Sequence, residues 1–469
     1  MLLASAMVTS MVAGCGSTAT TGSTDAAATD VATTAADTAI NVEKEENATE
    51  IAKMDDSQLN GTTITFWHAM GGVNGEALDY LVNKFNTENE YGIKVDSQYQ
   101  GSYDDEINKL KSAQMGNMGA DLVQVYDIGT RFMIDSGWIV PMQDLIDADG
   151  YDASAIEPNI AAYYTVDNTL YSMPFNSSTP ILYYNKDMFA AAGLENAPTS
   201  FAEIGTMGEA LSTKGGAKEV ISLGIYGWFF EQFLGKQGLA YVDNGNGRTA
   251  YATKVAFDEN GGALNILTAW KDLYDKGYAP NVGSGGDAGI ADFSSGASAM
   301  TLGSTASLKQ ILQDVDGKFE VGTAYFPTVV DGSEGGVSIG GGSLWALDNG
   351  DDVKKAATWK FVQFLVSAES QAYWNAQTGY FPVTTAAHDE QVFKDNVAQY
   401  PQFQTAIDQL HDSKPEYAGA LLSVFPEARQ IVQTEIENML NGAQTPEETV
   451  ASMAEQINTS ITDYNELNY

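Results

Sequence analysis

Thr62-Thr63-Ile64-Thr65-Phe66-Trp67 alternates polar and apolar side chains with a period of two, the pattern of a half-buried strand. After a glycine-rich turn, Leu78, Leu81, Val82 and Phe85 recur at helical spacing. Residues 93–99 alternate again, residues 105–114 read as a helix, and residues 121–126 are a short apolar run. Strand, helix, strand, helix, strand in that order predicts βαβ units on a parallel sheet and therefore an α/β fold. Ligands of such sheets sit beyond the carboxyl ends of the strands. On geometry alone, three segments then face a site: residues 68–75, 101–103 and 127–130.

Outward from this stretch the alternation continues. Residues 181–184 read as another strand, and Ser200 with Glu203 three positions later is a capping box opening a helix. Thr445-Pro446-Glu447-Glu448 repeats the device with proline at the first helical position, and Val450, Met453, Ile457 and Ile461 line one face of a terminal helix. Residues 354–366 form a further amphipathic helix through Ala357, Phe361, Phe364 and Leu365. No fixed-period repeat is present, which excludes a solenoid or propeller.

At the other end, Val12-Ala13-Gly14 followed by Cys15 closes an apolar start too short to span a bilayer and reads as a lipoprotein cleavage box. Residues 1–14 are expected to be removed as a signal peptide and Cys15 to be lipidated, placing the protein on the outer face of the cell membrane. No Lys or Arg precedes Cys15, so translation is expected to start upstream of Met1. Cys15 is the only cysteine, so whatever folds downstream is held by core burial, not by an internal disulfide. Residues 15–60 carry Ser, Thr, Ala, Asp and Glu with few large apolar side chains, and the expectation is a disordered acidic tether. Past residue 60 the composition is globular. About 400 residues exceed one ordinary core, so two lobes are expected.

The net charge is −39, with 23 basic against 62 acidic residues. Such a surface excludes nucleic acid and lipid headgroups as partners, because phosphate backbones need positive charge to release their counterions. His68, His388 and His411 are far apart and pair with no Cys or second His at ligand spacing, so no metal and no cofactor are expected. Asp243-Asn244-Gly245-Asn246-Gly247 echoes a calcium loop, but its glycine comes too early and no bidentate Glu follows, which makes it a turn. Gly335 to Gly342 is glycine-rich without a following Lys-Ser/Thr, so it is not a nucleotide loop and instead lets backbone approach a ligand. No nucleophile elbow appears with credible partners, and enzyme activity has no support in the sequence.

Pro174-Phe175-Asn176-Ser177-Ser178-Thr179-Pro180 is a proline-bounded polar crossing between sheet-like regions, and Phe425-Pro426-Glu427-Ala428-Arg429 sets an arginine where positive charge is scarce. Together with Phe66-Trp67-His68-Ala69-Met70, Gln124-Val125-Tyr126, Tyr183-Tyr184-Asn185-Lys186-Asp187, residues 339–345 and Thr378-Gly379-Tyr380-Phe381-Pro382, these stretches resemble the family-1 extracellular solute-binding proteins of ABC importers. The likeness runs from about residue 64 to the C-terminus. It implies a two-lobe periplasmic-binding-protein-like (type II) fold whose α/β domains are hinge-linked by three crossovers, near 174, 320 and 346, around a ligand cleft. Residues 61–174 and 321–345 would form the N-terminal lobe, and residues 175–320 and 346–469 the C-terminal lobe.

The resemblance also implies a ligand set: Tyr103, Asp127, Ser178, Trp228, Ser304, Gly341, Tyr380 and Arg429. Asp127 stands where the family usually has Glu. Of two family tryptophans three residues apart only Trp228 remains, after Ile225-Tyr226-Gly227. The implied function is a lipid-anchored, monomeric, non-enzymatic receptor. It would capture glycerol-3-phosphate or a glycerophosphodiester by lobe closure and deliver it to ABC permease subunits. Its contact with the membrane would be through the anchor alone. Arg429 suits a phosphate as a planar bidentate donor, with Ser178, Ser304 and the Gly341 backbone adding donors. Asp127, Tyr103 and Trp228 suit a glycerol end. Surface charge is screened over about 8 Å at physiological salt, so a desolvated arginine outweighs distant carboxylates. The alternative keeps the fold and takes a neutral sugar or oligosaccharide, held by Trp228, Tyr103, Tyr380 and carboxylates.

Overall fold

The computed structural model describes residues 54–115 and 119–469. Cys15, the signal segment and the tether up to residue 53 lie outside the described residues. Among the described residues, regular structure is already present before the break in composition at residue 60. Asp55 and Gln58 form a reciprocal capping box on the short helix Asp56–Leu59, and Leu59 is fully buried. One large apolar side chain docked on the core therefore claims the last residues that composition assigned to the tether.

The opening βαβ pattern is realised closely. Strands Thr63–His68, Lys94–Tyr99 and Leu122–Tyr126 pair in parallel, with helices Gly72–Glu88 and Tyr103–Met115 between them. Leu78, Leu81, Val82 and Phe85 are all buried. The sheet is mixed, however. Gly340–Leu347 returns from far along the chain and pairs antiparallel with both Leu122–Tyr126 and Met173–Ser178. A second sheet sets Pro180–Asn185 between Met300–Ser304 and Val321–Tyr325, all antiparallel. The parallel pair of Leu223–Ile225 with Asn281–Ser284 joins it through the Ser222–Thr301 bridge.

Hydrogen bonding shifts the predicted crossovers. Only Thr179 separates the strand Met173–Ser178 of the first sheet from Pro180–Asn185 of the second. Val321–Tyr325 pairs with Pro180–Asn185, so the return lies between Tyr325 and Gly340, later than residue 320. Nor does the chain leave the first lobe at residue 346. The helix Asp352–Leu365 buries Ala357, Phe361 and Leu365 in the same apolar cluster as Phe66, Leu78 and Phe85.

The terminal helix Pro446–Asn468 has the complete Thr445–Glu448 capping box and buries Val450, Met453, Ile457 and Ile461. At Ser200 only half the box forms. Its hydroxyl accepts from the Glu203 N–H, while the Glu203 carboxylate takes the N–H and hydroxyl of Thr199 instead.

Candidate functional site

All eight sequence-predicted ligand positions, which span residues 103 to 429, line one cavity of about 290 Å³. The topology explains the convergence. Asp127 follows the carboxyl end of the parallel strand Leu122–Tyr126, Tyr103 opens the helix after Lys94–Tyr99, and Asn74 lies in the first turn after Thr63–His68. Each of the three segments expected to face a site thus contributes one residue. Ser178 and Ser304 end their strands, Trp228 stands in the first turn of the helix Gly227–Lys236, and Tyr380 follows the helix Ala368–Thr378.

Gly341 has a φ of +92°, and a Cβ there would lie 1.9 Å from the Asn176 carbonyl oxygen. Only glycine lets these two strands close at this point. At Gly340 a Cβ would lie 2.5 Å from the Trp228 indole, so the ring rests on bare backbone. The Asn176 carboxamide cross-links the wall: its nitrogen donates to the Tyr103 hydroxyl at 2.8 Å, and its oxygen accepts from Gln124 Nε2 at 2.7 Å, while the Gln124 oxygen accepts from the Ala69 N–H. Tyr103 stacks on Tyr126 with centroids 5.2 Å apart, and burial pushes the Tyr103 hydroxyl well above its usual range. Among the described residues, the buried indole N–H of Trp228 has no hydrogen-bond partner.

Arg429 is the fifth residue of the helix Phe425–Leu440, close to its N-terminus, and is 5% exposed. A cation there opposes the helix dipole, and two carboxylates compensate. The Nε and Nη2 of Arg429 donate to the two oxygens of Glu231 at 2.8 and 2.9 Å, and Nη2 also reaches Asp127 at 3.3 Å. Burial pushes both carboxyls up while Arg429 draws them back down. Among the described residues, no hydrogen bond occupies Arg429 Nη1. The bidentate edge expected to grip a phosphate is therefore already taken by Glu231.

Glu231 was not found from sequence, because one acid among 62 carries no signal. Its i+3 spacing from Trp228 on a helix was the available clue. Glu231 reaches the site through Arg429, whereas Tyr226, Tyr126 and Asp287 line the cavity itself without having been assigned to it. Arg429 lies over the Tyr226 ring at 5.6 Å, so an aromatic still flanks the arginine beside the missing tryptophan. His68, by contrast, the last residue of the strand Thr63–His68, is buried and does not line the cavity. Among the described residues no group of His, Cys, Asp and Glu is arranged to hold a metal ion, and no helix is long and apolar enough to cross a membrane.

Residues 80–405 match the bacterial extracellular solute-binding protein family. The sn-glycerol-3-phosphate-binding periplasmic protein UgpB of Escherichia coli K12 is 33% identical over 412 residues, covering 85% of this chain and 92% of the relative. The UgpB of Salmonella typhimurium is 32% identical over 410 residues, with the same coverage. The crystal structure of Mycobacterium tuberculosis UgpB in complex with glycerophosphocholine superposes with a TM-score of 0.74 at 24% identity, covering 87% of this chain and all of that one. The GacH receptor of Streptomyces glaucescens, solved unliganded and with acarbose, superposes with a TM-score of 0.71 at 20% identity over 86% of this chain and 99% of that one. Both likenesses confirm the two-lobe fold. The chain belongs to the bacterial extracellular solute-binding proteins, the non-enzymatic receptors of ABC importers.

Proposed function

We propose that this receptor captures a glycerophosphodiester in the cavity lined by the eight residues, closes its lobes on it, and delivers it to an ABC permease from a lipid anchor at Cys15. The similarity to UgpB supports a glycerol phosphate ester. The charge state of Arg429 favours a diester over the monoester. With Asp127 and Glu231 both ionised, the three-residue cluster carries a net charge of −1 (+1 − 2). A monoester brings a second negative charge that a diester lacks. At about 5 Å from a unit negative cluster and an effective dielectric of about 20, that extra charge costs about 3 kcal/mol, roughly a hundredfold in affinity. Arg429 Nη1, the Ser178 and Ser304 hydroxyls and the backbone at Gly341 are the donors for the phosphoryl oxygens. Tyr103, Trp228 and Tyr226 supply aromatic walls, and Asp127 accepts from a glycerol hydroxyl.

A neutral sugar is the second reading, since the cluster does not repel an uncharged ligand and the aromatic walls suit sugar faces. Calorimetric titration of the purified chain with glycerol-3-phosphate, glycerophosphocholine and a small sugar panel separates the two. Tightest binding of the diester, lost in Arg429→Ala, is the expected result. Heat from sugars alone would make Arg429 structural and the protein a carbohydrate receptor.

A further inference from the structure

Three of the residues lining the ligand cavity carry charge: Asp127, Arg429 and Asp287. Asp127 and Arg429 are buried and paired with each other. Asp287 is exposed, and among the described residues its carboxylate meets only the Ser307 hydroxyl, at 3.5 Å. Arg429 is the one cation among these lining residues, and Asp127 together with Glu231 already outweighs it. A further free carboxylate beside a phosphate site repels an anionic ligand unless the ligand also carries a charge that answers it. We propose that Asp287 selects diesters with a cationic head group, an ammonium two carbons from the phosphate, by holding a carboxylate next to the phosphoryl donors.

The loop of residues 283–289, Gly-Ser-Gly-Gly-Asp-Ala-Gly, fixes the position of this carboxylate. The Gly285 N–H donates to the Ile225 carbonyl at 2.9 Å. A Cβ at Gly289 would lie 2.2 Å from the Ser222 carbonyl oxygen, and one at Gly286 would lie 3.1 Å from the Tyr226 ring. Bare backbone thus brings the loop down on the strand Leu223–Ile225 and on the aromatic that flanks Arg429. From the other side, Ser307 belongs to the turn Thr305–Ser307, which Ser304 caps with its hydroxyl by accepting from the Ala306 N–H. Asp287 and the phosphoryl donor Ser304 therefore meet on the same short turn. Burial above all raises the Tyr226 hydroxyl to about 12 and lifts that of Tyr380, and the Asp287 carboxylate adds to both. Its negative field is thus felt by two aromatic residues of the cavity wall.

On the diester reading of the cavity, on which this assignment rests, Arg429, Ser178 and Ser304 hold the phosphoryl oxygens and the ammonium turns to Asp287. A cationic head group also makes the ligand neutral overall, so it escapes the repulsion that a net-anionic ester meets. Specificity of this kind combines an attraction for one head group with a penalty on the others. Because Asp287 is exposed, the pairing is screened by salt and its effect is modest, about fivefold in affinity.

Calorimetric titration of the purified chain with glycerophosphoethanolamine, glycerophosphocholine and glycerophosphoglycerol, repeated on Asp287→Asn and Asp287→Glu, tests the assignment. Wild type is expected to bind the two cationic esters about fivefold more tightly than the glycerol ester. In Asp287→Asn the preference should vanish through weaker binding of the cationic esters, and Asp287→Glu should retain it, with unchanged thermal melts in both variants. High salt should narrow the preference in wild type and leave Asp287→Asn unaffected. Equal affinities for the three esters in wild type, or a loss in Asp287→Asn that falls on all three alike, would overturn the role of Asp287 while diester capture stands. Binding of none of the three would instead sink the diester reading, and the assignment of Asp287 with it.

Discussion

Arg429 and Glu231 meet edge to edge, Nε to Oε1 at 2.8 Å and Nη2 to Oε2 at 2.9 Å, with both side chains largely removed from solvent. This pairing turns the most conspicuous cation of the chain from an open anion receptor into a compensated one. Breaking a buried pair by removing one partner costs about 3–5 kcal/mol, so the geometry of Arg429 is fixed before a ligand arrives. Preorganisation of this kind reduces the ordering cost of binding.

Glu231→Gln keeps a side-chain acceptor for Arg429 and removes one negative charge. Affinity for glycerol-3-phosphate is expected to rise by about tenfold or more relative to glycerophosphocholine, following the Coulomb argument above. Parallel calorimetric titrations of both esters against variant and wild type check this. An unchanged ratio would mean that the cluster's charge does not set the preference.

Gly341→Ala is expected to disrupt the protein even though it adds one methyl group. The Cβ would lie 1.9 Å from the Asn176 carbonyl at a φ of +92°. Overpacking of this kind costs about 1–3 kcal/mol or more, and the left-handed backbone adds to it. A thermal melt should show a midpoint several degrees lower, together with lost ligand binding. Wild-type stability in this variant would show that the two strands part freely there.

His68 supplies an acid-sensitive element. Burial lowers its pKa from 6.5 to about 4, and Nδ1 accepts from the Met70 N–H. Because the folded value is depressed, the unfolded chain takes up the proton first. Stability is therefore fully present above pH 6.5 and drains away as pH falls towards 4, by about 3 kcal/mol. Denaturant titrations across that window should show a shallower decline in His68→Gln than in wild type. Identical slopes would assign the loss entirely to carboxylates.

Cys15→Ser tests the anchor independently of the ligand. Wild-type protein is expected to incorporate a palmitate analogue and to partition into detergent, whereas the variant stays aqueous. Equal labelling of both would remove the lipoprotein assignment.

Local patterning determined a great deal here. Period-two and period-3.6 hydrophobicity marked the opening strands and helices to within a residue or two, because each side chain's face is set by backbone geometry alone. Thr445 and Glu448 likewise marked the start of the terminal helix, since a cap needs only residues three apart. Family motifs gathered eight residues that prove to line one cavity. What no local pattern carried was pairing over long separations. That Gly340–Leu347 joins the first sheet, that Ala357 and Phe361 pack beneath it beyond residue 346, and that Glu231 claims the bidentate edge of Arg429 all depend on which surfaces meet after the chain has crossed between sheets.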